Sequence, residues 1–385
     1  MCKIISESIL IFVFLYIIIY FHPYTTQILK YKEFIKKCRG KSFINQSINV
    51  KPEYIFLSIC LPVYNMENYI EASLLSIINQ TFQFFEIIIV NDNSNDGTKD
   101  IIKKMQEKDK RIKYINHSKN LGVYSSRADA ILNASGKYIL LVDPDDIILN
   151  QDIFNELYNY YLKYNLDIIE FLVYHQKEGR KNIIFPKDQT FSHFHNYHES
   201  IINQPKLSDI IFYKPNTNQY SSIICRTIWN KLIKKEIIIN SINYLNNDFF
   251  QNQFLIAADD TPLNILIFHF GNNYSNINLP GYLYYLRDNG MSSSDKGNIK
   301  HDLIVSYNYL LYFRFFFKYV INFNKDINFF LYDFQKFSSY LLKLKDLNSF
   351  EFIPDALNFF EEIIKRNISE TFKLFIQELI DYFSE

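Results

Sequence analysis

Between Ile55 and Asp146, four short apolar runs are separated by three stretches whose apolar residues fall at helical spacing. No other feature limits the fold so strongly. Ile55–Leu61 stops at Pro62, and Ile70, Leu74, Ile77 and Ile78 then mark one face of a helix over 67–80. Phe84–Val90 follows, closed by Asn91-Asp92-Asn93-Ser94-Asn95-Asp96-Gly97. Asp96 or Thr98 is placed to cap the next helix, with Ile101, Ile102 and Met105 on one face. Arg111–Ile115 reads as a third strand, Gly122–Asn133 as a third helix, and Tyr138–Val142 as a fourth strand. Strand and helix in strict alternation imply a parallel, doubly wound sheet. No Gly-x-Gly-x-x-Gly follows the first strand and no Walker A sequence occurs, which argues against a dinucleotide oxidoreductase and a P-loop NTPase.

The fourth strand runs into Asp143-Pro144-Asp145-Asp146. In an open α/β sheet, ligands bind beyond the carboxyl ends of the strands. Acids clustered there repel one another unless a cation neutralises them, and hard oxygen donors suit Mg²⁺ or Mn²⁺. A solvated acidic turn is the competing reading, because Asp and Pro favour turns. Two other strand ends carry polar groups, Pro62-Val63-Tyr64-Asn65 and Asn91-Asp92-Asn93. Neighbouring parallel strands would gather all three at one edge. A carboxylate at the second could accept from a base N–H or a ribose hydroxyl, and a pair at the fourth could hold a cation that bridges two phosphates. Together they form a site for a nucleoside diphosphate without a glycine-rich loop.

Lys plus Arg equals Asp plus Glu, 41 against 41, so a nucleic-acid partner is not expected. Cys2, Cys38, Cys60 and Cys225 have neither metal-ligand nor disulfide-framework spacing, and His193, His195 and His198 read as a surface loop. From Ile9 to Phe21 every residue is apolar or Tyr. Set against the roughly 20 residues of a full span, the run is slightly short. An uncleaved anchor over 1–22 is favoured over a cleaved signal peptide, because His22-Pro23-Tyr24 offers no small-residue cleavage site. Residues 23–53 form a basic stem, 54–295 the α/β domain, and 296–385 a helical C-terminal region dense in Phe, Tyr and Leu. Lys30, Lys32, Lys36, Lys37, Arg39 and Lys41 follow the span, which by the positive-inside rule puts the domain in the cytosol.

The ordered segments resemble the family 2 glycosyltransferases of the GT-A nucleotide-diphospho-sugar transferase fold. Leu57-Ser-Ile-Cys-Leu-Pro-Val-Tyr-Asn65 is similar to that family's opening strand, and Glu86–Thr98 to its second strand and Asp-Gly-Ser-x-Asp-Gly-Thr turn. Asn120–Arg127 is similar to the Asn-x-Gly…Ala-Arg-Asn stretch, and Ala134–Asp146 to the Asp-x-Asp segment. The resemblance implies a Rossmann-like, mostly parallel sheet flanked by helices. It also implies a metal-dependent, inverting enzyme that moves one sugar from a nucleotide-sugar donor, UDP-linked, to a glycan, lipid or protein acceptor. Single-span relatives in the endoplasmic reticulum or Golgi of eukaryotes face the lumen, against the charge flanks, so the side of the membrane stays open. Transfer to a lipid phosphate of the dolichyl type on the cytosolic face is one alternative. A non-catalytic family member that binds sugar nucleotide or glycan is another.

By the same resemblance Asp92 contacts the base, and Pro62, Tyr64 and Asn65 line the nucleoside pocket. Arg127 lies near the diphosphate. Asp143 meets the ribose and, with Asp145, a divalent cation (Mn²⁺ or Mg²⁺). Thr227-Ile-Trp229-Asn-Lys231-Leu is similar to a Trp-x-Lys-Leu segment of non-processive members, and Trp229 either stacks on an acceptor sugar or closes the core. Asp259-Asp260 matches the family's Glu-Asp pair before a helix, with Asp259 where Glu is usual. Inversion needs a base to take the acceptor proton, and Asp260 is the candidate, with Asp259 beside it. Tyr284-Tyr285-Leu286-Arg287 is similar to a Tyr-x-x-Arg segment that brings Arg287 over the phosphates. The Gln-x-x-Arg-Trp of processive synthases is absent.

Overall fold

A computed structural model describes residues 55–177, 183–184, 201–203, 227–250, 255 and 260–287, together with positions 305, 308–312, 315, 361 and 377. The expected anchor and stem, the three histidines at 193–198, Asp259 and most of the C-terminal region lie outside the described residues. Among those described, no helix is long and apolar enough to cross a membrane.

The four-strand alternation forms as the pattern requires. Strands β1 (Leu57–Val63), β2 (Phe85–Asn91), β3 (Ile112–Asn116) and β4 (Tyr138–Leu141) alternate with helices α1 (Ile70–Ile78), α2 (Thr98–Lys108) and α3 (Val123–Leu132). Every residue of β1, β2 and β4 is buried, which is why they read as continuous apolar runs rather than alternating ones. Side chains as deep as Ile59, Ile87 and Leu140, each with no exposed surface, contribute about 1.5–3 kcal/mol apiece. The chain goes on through β5 (Ile147–Ile148), α4 (Ile153–Tyr164), β6 (Ile168–Lys177), β7 (Ile183–Ile184), β8 (Ile202–Asn203), β9 (Lys231–Lys234), α5 (Lys235–Leu245), α6 (Asp260–Phe270) and β10 (Asn273–Leu286).

The sheet order is β3-β2-β1-β4-β9-β6-β10-β5. The first four strands are parallel, and β10 pairs parallel with β6 over their length. The doubly wound reading holds for that first half only. β9 enters antiparallel between β4 and β6, and short β5 pairs antiparallel with β10. Nothing in the alternation up to residue 146 encodes this insertion, because β9 lies some ninety residues on.

A buried polar knot fixes the amino ends of the parallel strands. Ser58 donates to Glu86 Oε1 (2.6 Å), as does the Ser135 N–H (2.5 Å), while Lys113 sits 2.6 Å from Oε2. Burial alone would raise the Glu86 pKa, but hydrogen bonds from Lys113, Ser58 and the Ser135 N–H outweigh it and hold the carboxyl below the usual range. Gly136 donates to Ser58 Oγ (2.8 Å), and a Cβ there would lie 2.6 Å from the Ser58 nitrogen, so the close approach requires glycine. Fixing these ends sets the register that delivers the opposite ends to one place.

Candidate active site

At the carboxyl edge of the parallel strands lies a cavity of about 290 Å³. Its wall includes Pro62, Tyr64, Asn65, Asp92, Arg127, Asp143, Asp145 and Arg287, drawn from the ends of β1, β2, β4 and β10 and from α3. The structure therefore brings together every residue that the sequence assigned to the donor.

The loops after β1 and β2 are stitched to each other. Asn65 and Asn93 adopt left-handed backbone (φ 52° and 60°), a conformation asparagine tolerates better than most residues. Asn65 N–H donates to Ser94 Oγ (2.9 Å) and Asn95 N–H to Asn65 Oδ1 (3.0 Å). Asp96 accepts from the Thr98 and Glu67 N–H groups, both at 3.1 Å, which makes it the carboxylate of the turn rather than a wall of the cavity. Tyr64, 42% exposed, stands free at the rim.

Asp92 is 3% exposed and heavily supported. Oδ1 accepts from the Leu121 N–H (2.8 Å) and lies 2.7 Å from His117 Nδ1, and Oδ2 accepts from the Gly122 N–H (2.8 Å). Gly122 has φ +89°, and an added Cβ would meet the Leu255 carbonyl oxygen at 2.5 Å. The glycine of the Asn120-Leu121-Gly122 segment is thus needed to aim its N–H at Asp92.

The acidic run after β4 divides by direction. Asp143 and Asp145 face the cavity, while Asp146 has no exposed surface. The Tyr282 hydroxyl donates to Asp146 Oδ2 (2.7 Å) and accepts the Asp143 N–H (3.1 Å), and the Tyr285 N–H donates to Asp146 Oδ1 (2.7 Å). Asp146 therefore pins β10 to the acidic loop. Burial first, and then the charges of Asp145 and Asp143, push its pKa well above the ordinary range. Asp145 is raised for the same reasons, burial ahead of the Asp143 charge, even though Arg287 Nε lies 2.6 Å from its Oδ2.

Arg127 is 6% exposed, so it is no ordinary surface residue of its helix. Its guanidinium bridges two acids, Asp143 at 3.3 Å and Asp260, the first residue of α6. Asp260 is thereby tied to the edge that holds Asp143. Trp229 requires a correction. It is 6% exposed, does not line the cavity, and stacks on Tyr282 (4.7 Å between ring centroids) and Tyr284 (5.3 Å). The indole closes the core behind the cavity wall, because the two tyrosines of β10 take the stacking that a sugar would need.

Among the described residues no group of three or more His, Cys, Asp or Glu side chains could hold a metal by itself. Asp143 and Asp145 still fit a divalent cation of the Mg²⁺ or Mn²⁺ kind. Both are hard oxygen donors at one cavity edge, and burial, followed by the Asp143 charge, raises the Asp145 pKa despite Arg287 beside it. Such cations are commonly held by one or two carboxylates, with phosphate oxygens and water completing the shell.

Sequence reasoning missed His117, Asp129 and Tyr282. His117 sits in the segment joining the third strand to the Asn120–Arg127 motif, which was a usable signal. Tyr282 carried none, since its partner lies 136 residues away.

Residues 58–239 match the family model described as Glycosyl transferase family 2. The glycosyltransferase GlyA of Streptococcus pneumoniae is 31% identical over 206 residues, 51% of this chain and 27% of that protein. The cholesterol galactosyltransferase of Borreliella burgdorferi is 28% identical over 240 residues, 62% of each. The chain thus spans less than two thirds of the length of either relative. Of solved structures, S. aureus TarS 1–349 in complex with UDP aligns over 80% of both chains at 19% identity, with a TM-score of 0.48. Over residues 58–239, the chain is thus similar to glycosyl transferase family 2.

Proposed function

We propose that the domain transfers a single sugar, with inversion, from a UDP-linked donor to a glycan, lipid or protein acceptor. One observation carries this reading: residues from four separate strand ends, each of a type suited to base, ribose or diphosphate, line a single cavity. In this reading Asp92 accepts from the base, and Pro62, Tyr64 and Asn65 enclose the nucleoside. Asp143 and Asp145 would hold a divalent cation, which supplies positive charge to the leaving diphosphate.

The chain's own cations share that work. Arg127 and Arg287 each pair with a carboxylate at the cavity edge, and a diphosphate arriving there offers planar guanidinium groups better bidentate acceptors. Arg127 leaving Asp260 for the phosphate would free that carboxylate to take the acceptor hydroxyl proton as the anomeric carbon is attacked from the opposite face. Positive groups aimed at the developing charge once the donor is bound lower the barrier. The apolar run at Ile9–Phe21 supports attachment to a membrane, single-pass.

The test is calorimetry of the full-length protein with UDP and Mn²⁺, followed by an assay of donor hydrolysis. Asp145→Ala should abolish cation-dependent UDP binding, and Asp260→Asn should keep binding while stopping transfer. UDP–Mn²⁺ binding by Asp145→Ala at wild-type strength would refute the site assignment. Binding by the wild type without any turnover would favour a non-catalytic family member.

A further inference from the structure

His117 lies between two carboxylates. Nδ1 is 2.7 Å from Asp92 Oδ1, and Nε2 is 2.9 Å from Asp129 Oδ2. The ring is buried, and its backbone is fixed as well, with the His117 N–H donating to the Asn91 carbonyl (2.9 Å) and Asn116 Nδ2 donating to the His117 carbonyl (2.8 Å). The ring thus spans an inner and an outer carboxylate, one against each nitrogen. Asp129 is the outer member, its side chain 46% exposed, while Asp92 is the inner one and borders the cavity.

We propose that His117 is a positioning residue for donor recognition, holding the Asp92 carboxylate in the orientation that accepts from the nucleobase, with Asp129 as its outer anchor. The inference rests on the UDP-donor reading above. A carboxylate offers about four lone-pair sites. The Leu121 and Gly122 N–H groups and His117 take three of them, which leaves one for a donor arriving from the cavity. Two of these supports belong to the backbone. His117 is the only side chain among them, and it meets Oδ1 beside the Leu121 N–H. Without it Oδ1 keeps a single backbone bond, and the carboxylate can turn its remaining lone pair away from the base.

The experiment compares UDP with N3-methyl-UDP, both with Mn²⁺, by calorimetry on the full-length protein. N-methylation removes the uracil N–H that a carboxylate would accept, and nothing else in the diphosphate or ribose. One hydrogen bond to a charged group corresponds to a preference for UDP of about ten- to a hundredfold. His117→Leu should bring that preference to within about threefold of unity, mainly by weakening UDP, with N3-methyl-UDP affinity changed less than about twofold. His117→Asn, whose amide places a donor near the Nδ1 position, should restore most of it. A role confined to folding would lower both affinities together and leave their ratio unchanged. A folded His117→Leu protein that keeps the wild-type ratio overturns the inference. Should that variant not fold, Asp129→Ala decides instead, since its side chain is half exposed: a wild-type ratio there overturns the inference, and a reduced one supports it. A wild-type protein that does not bind UDP at all overturns the donor reading, and this inference with it.

Discussion

Removing a single oxygen, by Tyr282→Phe, should loosen the acidic loop more than any change at its surface. The hydroxyl donates to Asp146 Oδ2 at 2.7 Å and accepts the Asp143 N–H at 3.1 Å, in a place where Tyr282 has no exposed surface. Phe keeps the ring, its 4.7 Å stack on Trp229 and nearly all of the volume, so no cavity term enters. Both partners are left short of a bond, and Asp146 retains only the Tyr285 N–H. An unsatisfied buried group costs about 1–3 kcal/mol. Two of them give about 2–6 kcal/mol, a large share of the ~5–15 kcal/mol that holds a domain together. Urea denaturation should show a lower midpoint at unchanged slope. Cation-dependent UDP affinity should fall about tenfold as Asp143 loses its backbone tether, a change of about 1.4 kcal/mol. A stability loss below about 1 kcal/mol, with UDP affinity intact, would refute the view that this hydroxyl fixes the loop.

Other perturbations separate structure from chemistry. Trp229→Ala should cost about 3–5 kcal/mol of stability, as loss of a buried aromatic does; an unchanged melting curve with a raised acceptor KM would instead restore Trp229 to the acceptor site. Gly136→Ala should destabilise by about 1–3 kcal/mol in the same assay, because its Cβ meets the backbone nitrogen of Ser58. Glu86 is held below its ordinary pKa, so its contribution is complete above the unfolded value of about 4.3 and is lost as pH falls through the folded one. Glu86→Gln should therefore flatten the acid limb of a stability-against-pH curve below about pH 4.3, and an unchanged limb would discount the Lys113–Ser58–Ser135 cage. Chelating the divalent cation should weaken UDP binding by tenfold or more, a loss of about 1.4 kcal/mol or greater, while leaving uridine affinity unaltered; equal losses for the two would place the cation elsewhere.

What could be read from residues alone follows the range of the interactions involved. The strands β1 to β4 and the helices between them are local objects, fixed by apolar runs and spacing, and the structure places them within a residue or two except for the first turn of α1. The meeting of Pro62, Asp92 and Asp143 at one edge follows from parallel pairing. The insertion of β9 does not, because strand order across a long connection depends on which faces remain to be covered. Trp229 shows the same limit: a lone indole is as suited to a sugar as to a core, and only Tyr282 and Tyr284, more than fifty residues later, decide it. The three acids after β4 look equivalent in sequence. Tyr282 turned one of them inward.

That division bears on the charge balance of the cavity. Among the described residues, Asp143, Asp145 and Asp260 face Arg127 and Arg287, three carboxylates against two guanidinium groups. His117 attends to Asp92 separately, and burial, then the charges of Asp145 and Asp143, raise the Asp146 pKa well above its ordinary range. A diphosphate brought to this edge adds further negative charge, which two arginines already engaged with acids could not offset alone. At about 4 Å and an effective dielectric of 20, each unit pair of like charges costs about 4 kcal/mol. A divalent cation held there would offset the charge that the diphosphate adds, and the arginines released from the carboxylates would then face the phosphate. In the proposed reading, donor, cation and the freeing of Asp260 would be coupled through Arg127. Asp260 stays engaged with Arg127 until a donor arrives, so it would be free to act as a base only when a donor is bound.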